Sequence, residues 1–92
     1  MEGKNLNEFI DDLCCNAEIE FVLNNARYLI SCWIDNDEMY TLSLCLIGEN
    51  PAEIFKCTSK YRSEVVETFT NAKIFDDKTL YDVENDIVVM YG

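Results

Sequence analysis

Histidine is absent from this 92-residue chain, which leaves carboxylates, thiols and tyrosine hydroxyls as the side chains that could do chemistry. Histidine is the commonest general base and the usual nitrogen ligand of metal ions. The five cysteines form no CxxC pair, so the chain has no zinc-ligand spacing. The chain has only three glycines, and none opens a phosphate-binding turn. We therefore predict that the protein is not an enzyme, with no catalytic residue, no cofactor and no metal.

The acidic residues are the strongest feature of the composition. Eighteen Asp and Glu against seven Lys and Arg give a formal net charge of −11, and only two of the bases, Lys4 and Arg27, lie in the first half. This charge repels nucleic acid and anionic membranes and attracts a basic protein surface. An acidic surface can also serve only to keep a small domain in solution. The acids expected to contact a basic partner are those of one turn and one strand of the first half: Asp35, Asp37, Glu38, Glu18 and Glu20.

Trp33 is the single tryptophan, and the strand pattern places it on the more polar face of the predicted sheet, near Thr41. Two interpretations are open. The side chain either packs under a loop or the C-terminal segment, or it is an exposed anchor for a partner. Tryptophan is enriched among the residues that dominate binding energy, so Trp33 joins the predicted partner-binding residues.

The cysteines favour a reducing compartment. Their number is odd, and they lie within or beside apolar runs without the regular spacing of a disulfide framework. Buried free cysteines behave as small hydrophobic residues. The first residues lead into no signal-peptide run, and no apolar stretch is long enough to span a bilayer. We therefore expect five reduced thiols and a cytoplasmic protein.

Three antiparallel strands between Glu18 and Ile47 must position the candidate residues. Asn24-Asn25 suits a two-residue turn, because asparagine tolerates positive φ. This turn sets Phe21 opposite Tyr28 and Ile19 opposite Ile30, which are favourable cross-strand pairs. Asp35-Asn36-Asp37 forms the second turn. A loop of odd length keeps the large apolar residues of the third strand on the same face as Phe21, and a slip of one residue would lose that burial.

The remaining segments are short and must pack on this sheet. Apolar residues at helical spacing from Leu6, after an Asn5–Glu8 capping box, predict an amphipathic helix that ends near Cys15-Asn16. Glu53 to Ser59 fits either a short helix or a fourth, edge strand, and we favour the strand. Two short helices follow, the first capped by Ser63 and the second by Thr79. Ile87 to Tyr91 closes the chain as a strand or an apolar tail. The prediction is one α+β domain over residues 1–92.

Parts of the chain resemble a group of small uncharacterised acidic proteins of low-GC Gram-positive bacteria and their mobile elements. The resemblance lies in Ala17–Phe21 and Arg27–Ile30 with the asparagine turn between them, and in Val66–Phe69 and Lys73–Leu80 near the C-terminus. That group implies no known activity. Separately, the order of helix, three strands and two helices on a very acidic chain is similar in shape and charge to type II-A anti-CRISPR inhibitors. Those proteins mimic DNA in the cleft of an RNA-guided nuclease, and the similarity assigns no residue a role.

These observations predict a non-enzymatic module, monomeric or homodimeric, that acts through protein–protein contact. The first hypothesis is an inhibitor of a basic nucleic-acid-handling protein such as a nuclease, acting as a DNA mimic. Immunity to a nuclease toxin fits the same charge and size. The further alternative is a self-associating structural module that uses the face around Trp33. Direct contact with nucleic acid or a membrane is not expected.

Overall fold

The computed structural model describes residues 1–15 and 18–91 and shows an α+β fold, a five-stranded antiparallel sheet with three short helices. The strands are β1 (Glu18–Leu23), β2 (Ala26–Ile34), β3 (Tyr40–Ile47), β4 (Ala52–Ser59) and β5 (Ile87–Tyr91). The helices are α1 (Leu6–Asp12), α2 (Arg62–Asn71) and α3 (Leu80–Val83), and a 3₁₀ turn follows at Glu84–Asp86. The order across the sheet is β4-β3-β2-β1-β5.

The predicted register of the first three strands is confirmed. Phe21 pairs with Tyr28 and Ile19 with Ile30, across a turn in which Asn24 and Asn25 have φ values of 50° and 68°. On the other side of β2, Cys32 pairs with Leu42, as the odd loop requires. Turn chemistry and apolar alternation therefore suffice to define this part of the sheet.

The outer strands complete the sheet. The predicted edge strand in the segment Glu53 to Ser59 is present as β4, paired with β3. The C-terminal segment is a strand and not a tail, because β5 pairs antiparallel with β1. This pairing buries Ile87 and Val89 beside Leu23 and Phe21. A free apolar tail would leave these residues in water.

Two helix boundaries differ from the prediction. The helix α1 ends at Asp12, where Leu13 is the C-cap, and Cys14 then takes a positive φ of 61°. The predicted end at Cys15-Asn16 is therefore too late, and Asn16 itself lies outside the described residues. The helix α2 has Tyr61 as its N-cap, so Ser63 is not the cap. The prediction for Thr79 is confirmed, since it forms a capping box with Asp82.

The helices pack on one face of the sheet, which we call the covered face. Phe9 of α1 meets Phe21 edge to face at 5.9 Å between ring centroids, and Phe69 of α2 lies 6.0 Å from Phe55 of β4. Leu80 and Val83 of α3 join the same buried cluster. The residues that alternate with the covered face form the open face: Glu18, Glu20, Val22, Arg27, Leu29, Ser31, Trp33, Thr41, Ser43, Cys45, Ile47, Lys56 and Thr58.

A disulfide joins Cys14, just after α1, to Cys32 of β2. The prediction of five reduced cysteines is therefore wrong for this pair, while Cys15, Cys45 and Cys57 are free thiols. The two partners are 18 residues apart and meet because both pack against the core of the covered face. Disulfides are typical of oxidising compartments, so the cysteines no longer support the predicted cytoplasmic location. No helix within residues 1–15 and 18–91 is long and apolar enough to cross a membrane.

Candidate protein-binding site

Exposed apolar side chains and acids lie at the end of the sheet where β2 turns into β3, a region we call the turn end. It comprises Trp33, Ile34, Asp35, Asp37, Glu38 and Tyr61. Trp33 is 44% exposed, Ile34 59% and Tyr61 64%. Ile34 pairs with Tyr40, and Tyr40 pairs with Ser59. Tyr61, two residues beyond Ser59, therefore lies at the same end of the sheet. Large exposed apolar residues next to charged ones are typical of protein interfaces.

The turn between β2 and β3 is organised by Asp35. One of its carboxylate oxygens accepts hydrogen bonds from the backbone N–H groups of Asp37 (2.9 Å) and Met39 (3.0 Å). The Asp35 backbone N–H also donates to the Met39 carbonyl at 3.0 Å. Glu38 takes a positive φ of 60°. Asp35 is therefore a structural residue of the turn.

Asp37 and Glu38 point into solvent from this turn and are exposed. Within the described part of the chain, no basic side chain forms an ion pair with either carboxylate. Both are thus available to a partner, and the ordered turn holds them beside Trp33 and Ile34. Of the three predicted turn acids, Asp37 and Glu38 extend into solvent, and the Asp35 carboxylate accepts hydrogen bonds within the turn.

Trp33 lies on the open face, paired with Thr41. The Lys56 ammonium stands 5.9 Å from the centre of its indole ring, a cation–π contact. The interpretation of a tryptophan packed under a loop or the C-terminal segment is not what the structure shows, because nearly half of the side chain is exposed. The exposed face of the ring is open to a partner.

Glu18 and Glu20 differ in exposure and in their contacts. Glu18 is exposed and pairs with Ser31, two residues before Trp33 on the same face. Glu20 is only 9% exposed, and its carboxylate binds the Arg27 guanidinium at 2.6 Å. The structure therefore places Glu18 near the turn end and pairs Glu20 with Arg27 within the open face.

Sequence reasoning missed Ile34 and Tyr61. The alternation of β2 assigns Ile34 to the covered face, but β1 begins opposite Ser31, so Cys32 to Ile34 extend beyond it. The difference in length between β2, with nine residues, and β1, with six, is the signal that could have shown this exposure. For Tyr61, the signal is its position in a polar loop directly before α2.

The chain was compared with protein-family models, with curated proteins and with solved structures. None of the three comparisons found a match. The resemblance to small proteins of Gram-positive mobile elements and the similarity to anti-CRISPR inhibitors therefore remain sequence-based hypotheses.

Other titratable groups lie around a cavity of about 240 Å³ between the β1–β2 turn and α3, whose lining includes Tyr28, Asp76, Asp82 and Asp86. Burial and the neighbouring Asp76 carboxylate raise the pKa of Tyr28, and hydrogen bonds from Thr79 lower the pKa of Asp82.

Away from this cavity, burial raises the pKa of the Cys57 thiol. All three pKa values are therefore shifted further from neutral pH. Across residues 1–15 and 18–91, no three carboxylates or thiols are arranged to hold a metal ion.

Proposed function

We propose that this protein is a non-enzymatic, acidic binding module that inhibits a basic nucleic-acid-handling protein. In this proposal the turn end enters the basic groove of the partner and competes with nucleic acid. The observation that carries the proposal is that exposed Trp33, Ile34 and Tyr61 share one end of the sheet with the carboxylates of Asp37 and Glu38, which no basic side chain of the described residues pairs. The sequence-based hypothesis of a similarity to type II-A anti-CRISPR inhibitors motivates the nuclease as the class of partner.

The two kinds of residue have separate tasks. Burial of Trp33 and Tyr61 supplies affinity, since aromatic side chains dominate the energetics of protein interfaces. The carboxylates supply attraction at a distance, which speeds association and weakens as salt is added. Charges along one DNA strand repeat at about 3.4 Å, and adjacent acids on a fixed turn approach that density. The net charge of −11 adds to the attraction of a basic partner.

Immunity against a nuclease toxin is a second form of the same proposal, because the partner is again a basic nuclease. Self-association is the competing function. Trp33 and Ile34 support it as exposed apolar residues, but Asp37 and Glu38 would meet like charges if two turn ends faced each other.

The test uses the double reversal D37K/E38K and leaves Asp35 unchanged because its carboxylate holds the turn. The partner is captured from cells of the native host, purified and loaded with fluorescent DNA. The wild-type protein is expected to displace the DNA. The reversal is expected to do so at least about tenfold less well, since reversed charges at a steered interface repel.

The control is D77K/E49K, which changes the net charge equally at exposed positions outside the turn end. Asp77 and Glu38 also share a positive φ, 63° and 60°, so a lysine meets the same backbone constraint. The proposal fails if the captured protein has no affinity for nucleic acid, or if both double variants displace DNA equally well. Capture of the protein's own chain alone would favour self-association.

A further inference from the structure

The open face of the sheet is partly apolar, although no helix from the described residues lies on it. Trp33 is exposed there. Further apolar side chains on this face are half-buried: Val22, Leu29, Cys45, Ile47 and Val88, which pairs with Val22. Apolar residues spread over one face of a sheet are typical of a surface that packs on a second layer.

The charge of the open face differs from that of the whole chain. Among the described residues, this face carries three acids and two bases: Glu18, Glu20, Glu53, Arg27 and Lys56. The Ser43 hydroxyl, which donates to the Glu53 carboxylate, confirms that Glu53 lies on this face. Three acids and two bases give a net charge of −1, against −11 for the chain. Two copies of the chain therefore repel each other least where their open faces meet.

The register arranges the open face in four rows that cross the strands. From the turn end onward, the rows contain the pairs Trp33 and Thr41, Ser31 and Ser43, Leu29 and Cys45, and Arg27 and Ile47. Lys56 of β4 extends the second row, and Glu53 of β4 extends the third. The centre of the face therefore lies between the second and third rows, with Trp33 and Arg27 at equal distances from it along β2.

A two-fold axis through this centre, perpendicular to the strands, sets the first row against the fourth row of a second copy, and the second row against the third. Lys56 then faces Glu53 of the second copy, and the symmetry forms this contact twice. Trp33 faces Arg27 of the second copy, and a guanidinium stacks favourably on an indole ring. The open face is thus complementary to itself about this axis.

Like charges disfavour the other way to pack two such sheets. An axis parallel to the strands would bring the β2–β3 turns of both copies together, so that the carboxylates of Asp37 and Glu38 would repel their counterparts. The perpendicular axis separates these turns. It does set Glu18 against Glu20 of the second copy, but the Arg27 guanidinium already binds the Glu20 carboxylate at 2.6 Å. The perpendicular axis is therefore the favourable one.

We propose that the open face binds a second copy of the chain, which gives a two-fold dimer whose sheets pack face to face with opposite strand directions. Five strands about 4.8 Å apart and four rows about 6.6 Å apart give a face of roughly 600 Å². Two such faces bury about 1,200 Å², the lower limit for a specific interface. The dimer should therefore dissociate on dilution.

Trp33 belongs to both the open face and the turn end, so the dimer covers a residue that the proposed partner contacts. Dimerisation and partner binding then exclude each other, a consequence that rests on the proposed function. The dimer itself does not rest on it. A chain that stays monomeric would leave the proposed function standing, and a chain that binds no nucleic-acid-handling protein would leave the dimer standing.

Sedimentation velocity of the full chain between about 1 µM and about 1 mM measures the dissociation constant of the dimer. The wild-type protein is expected to change from monomer to dimer within this range. K56E and E53K each place two pairs of like charges across the axis, so each should raise the dissociation constant at least about tenfold. The double variant K56E/E53K exchanges the two charges and should restore the wild-type value to within about threefold.

The matched controls are K73E and E67K, which make the same charge changes at exposed positions on or next to α2, on the other side of the sheet. Each should leave the dissociation constant within about threefold of the wild-type value. A monomer at every concentration would overturn the proposal. So would equal weakening by K56E and K73E, or a double variant K56E/E53K that does not restore the dimer.

A second measurement needs no variant. NMR on a mixture of isotope-labelled and unlabelled wild-type chains detects contacts between the two copies, and contacts between Trp33 and Arg27 are expected. Contacts between Trp33 and Thr41 of the other copy would show an axis parallel to the strands. Contacts made by α2 would show that another surface is used. Either result would overturn the proposed arrangement.

Discussion

The covered and open faces of the sheet bury different kinds of side chain. The covered face packs apolar side chains against three helices. The open face has no helix from the described residues on it, yet Thr41 and Ser43 are buried there. Polar side chains on this face are paired: Ser43 donates to Glu53 at 2.6 Å, the Thr41 and Thr58 hydroxyls lie 3.3 Å apart, and the Glu20 carboxylate binds Arg27 at 2.6 Å.

This difference separates stability from recognition within one sheet. Removing a side chain from the covered face creates a cavity, and removing one from the open face breaks a polar pair near water. At the turn end Trp33 and Ile34 remain largely exposed, as do Ile54 of β4 and Met90 of β5 elsewhere in the sheet. We therefore expect large stability effects on the covered face, and binding effects with small stability effects at the turn end.

The largest expected stability effect is that of Phe21→Ala on the covered face. Phe21 is fully buried and contacts Tyr28, stacked at 5.2 Å, and Phe75, edge to face at 6.2 Å. Truncation should lower the free energy of unfolding by about 3–5 kcal/mol, as lost burial and a residual cavity require. Urea denaturation followed by circular dichroism measures the change.

The matched change on the open face is Glu20→Ala, one residue away. The sequence alone predicts it to be nearly neutral. Because Glu20 is 9% exposed and binds Arg27, we now expect a loss of about 1 kcal/mol, the scale of one charge-assisted hydrogen bond near the surface. Equal losses for Phe21→Ala and Glu20→Ala would contradict the distinction between the faces.

The next largest effect concerns the disulfide that fastens α1 to the covered face. Cross-linking residues 18 apart restricts the unfolded chain and contributes about 3 kcal/mol. The variant C14S/C32S should lose about this amount in unfolding measurements, and C15S, which changes an exposed free thiol, should lose almost nothing. Titration of the denatured, unreduced protein should find the three free thiols Cys15, Cys45 and Cys57. Five reactive thiols would contradict the disulfide between Cys14 and Cys32.

Local rules explain how much of the fold the sequence predicts. The pairing of Phe21 with Tyr28 depends only on the Asn24-Asn25 turn and on alternation, both visible in the sequence. The contact between Cys14 and Cys32 depends on where α1 packs. Likewise, the Arg62 guanidinium donates to the carbonyls of Leu13 (2.8 Å) and Asp11 (2.8 Å) at the end of α1, a long-range cap that no local pattern reveals.

The residues of the candidate site likewise divide into those that local sequence predicts and those that depend on long-range contacts. Asp37 and Glu38 were predicted because a turn between strands exposes its charges. Glu20 was included because its alternation places it on the polar face, and the sequence does not show that Arg27 engages it. Tyr61 joins the turn end only through the pairing of β4 with β3, so its contribution depends on strand order and not on local sequence.

The most direct test of the central claim is the dissociation constant of Trp33→Ala for the captured nucleic-acid-handling partner. Trp33 is an exposed aromatic beside unpaired acids, so its removal should weaken binding by about 2 kcal/mol, roughly 30-fold. Its free energy of unfolding should change by less than about 1 kcal/mol, because the side chain is 44% exposed. An unchanged dissociation constant in the folded variant would contradict the assignment of the turn end as the binding site.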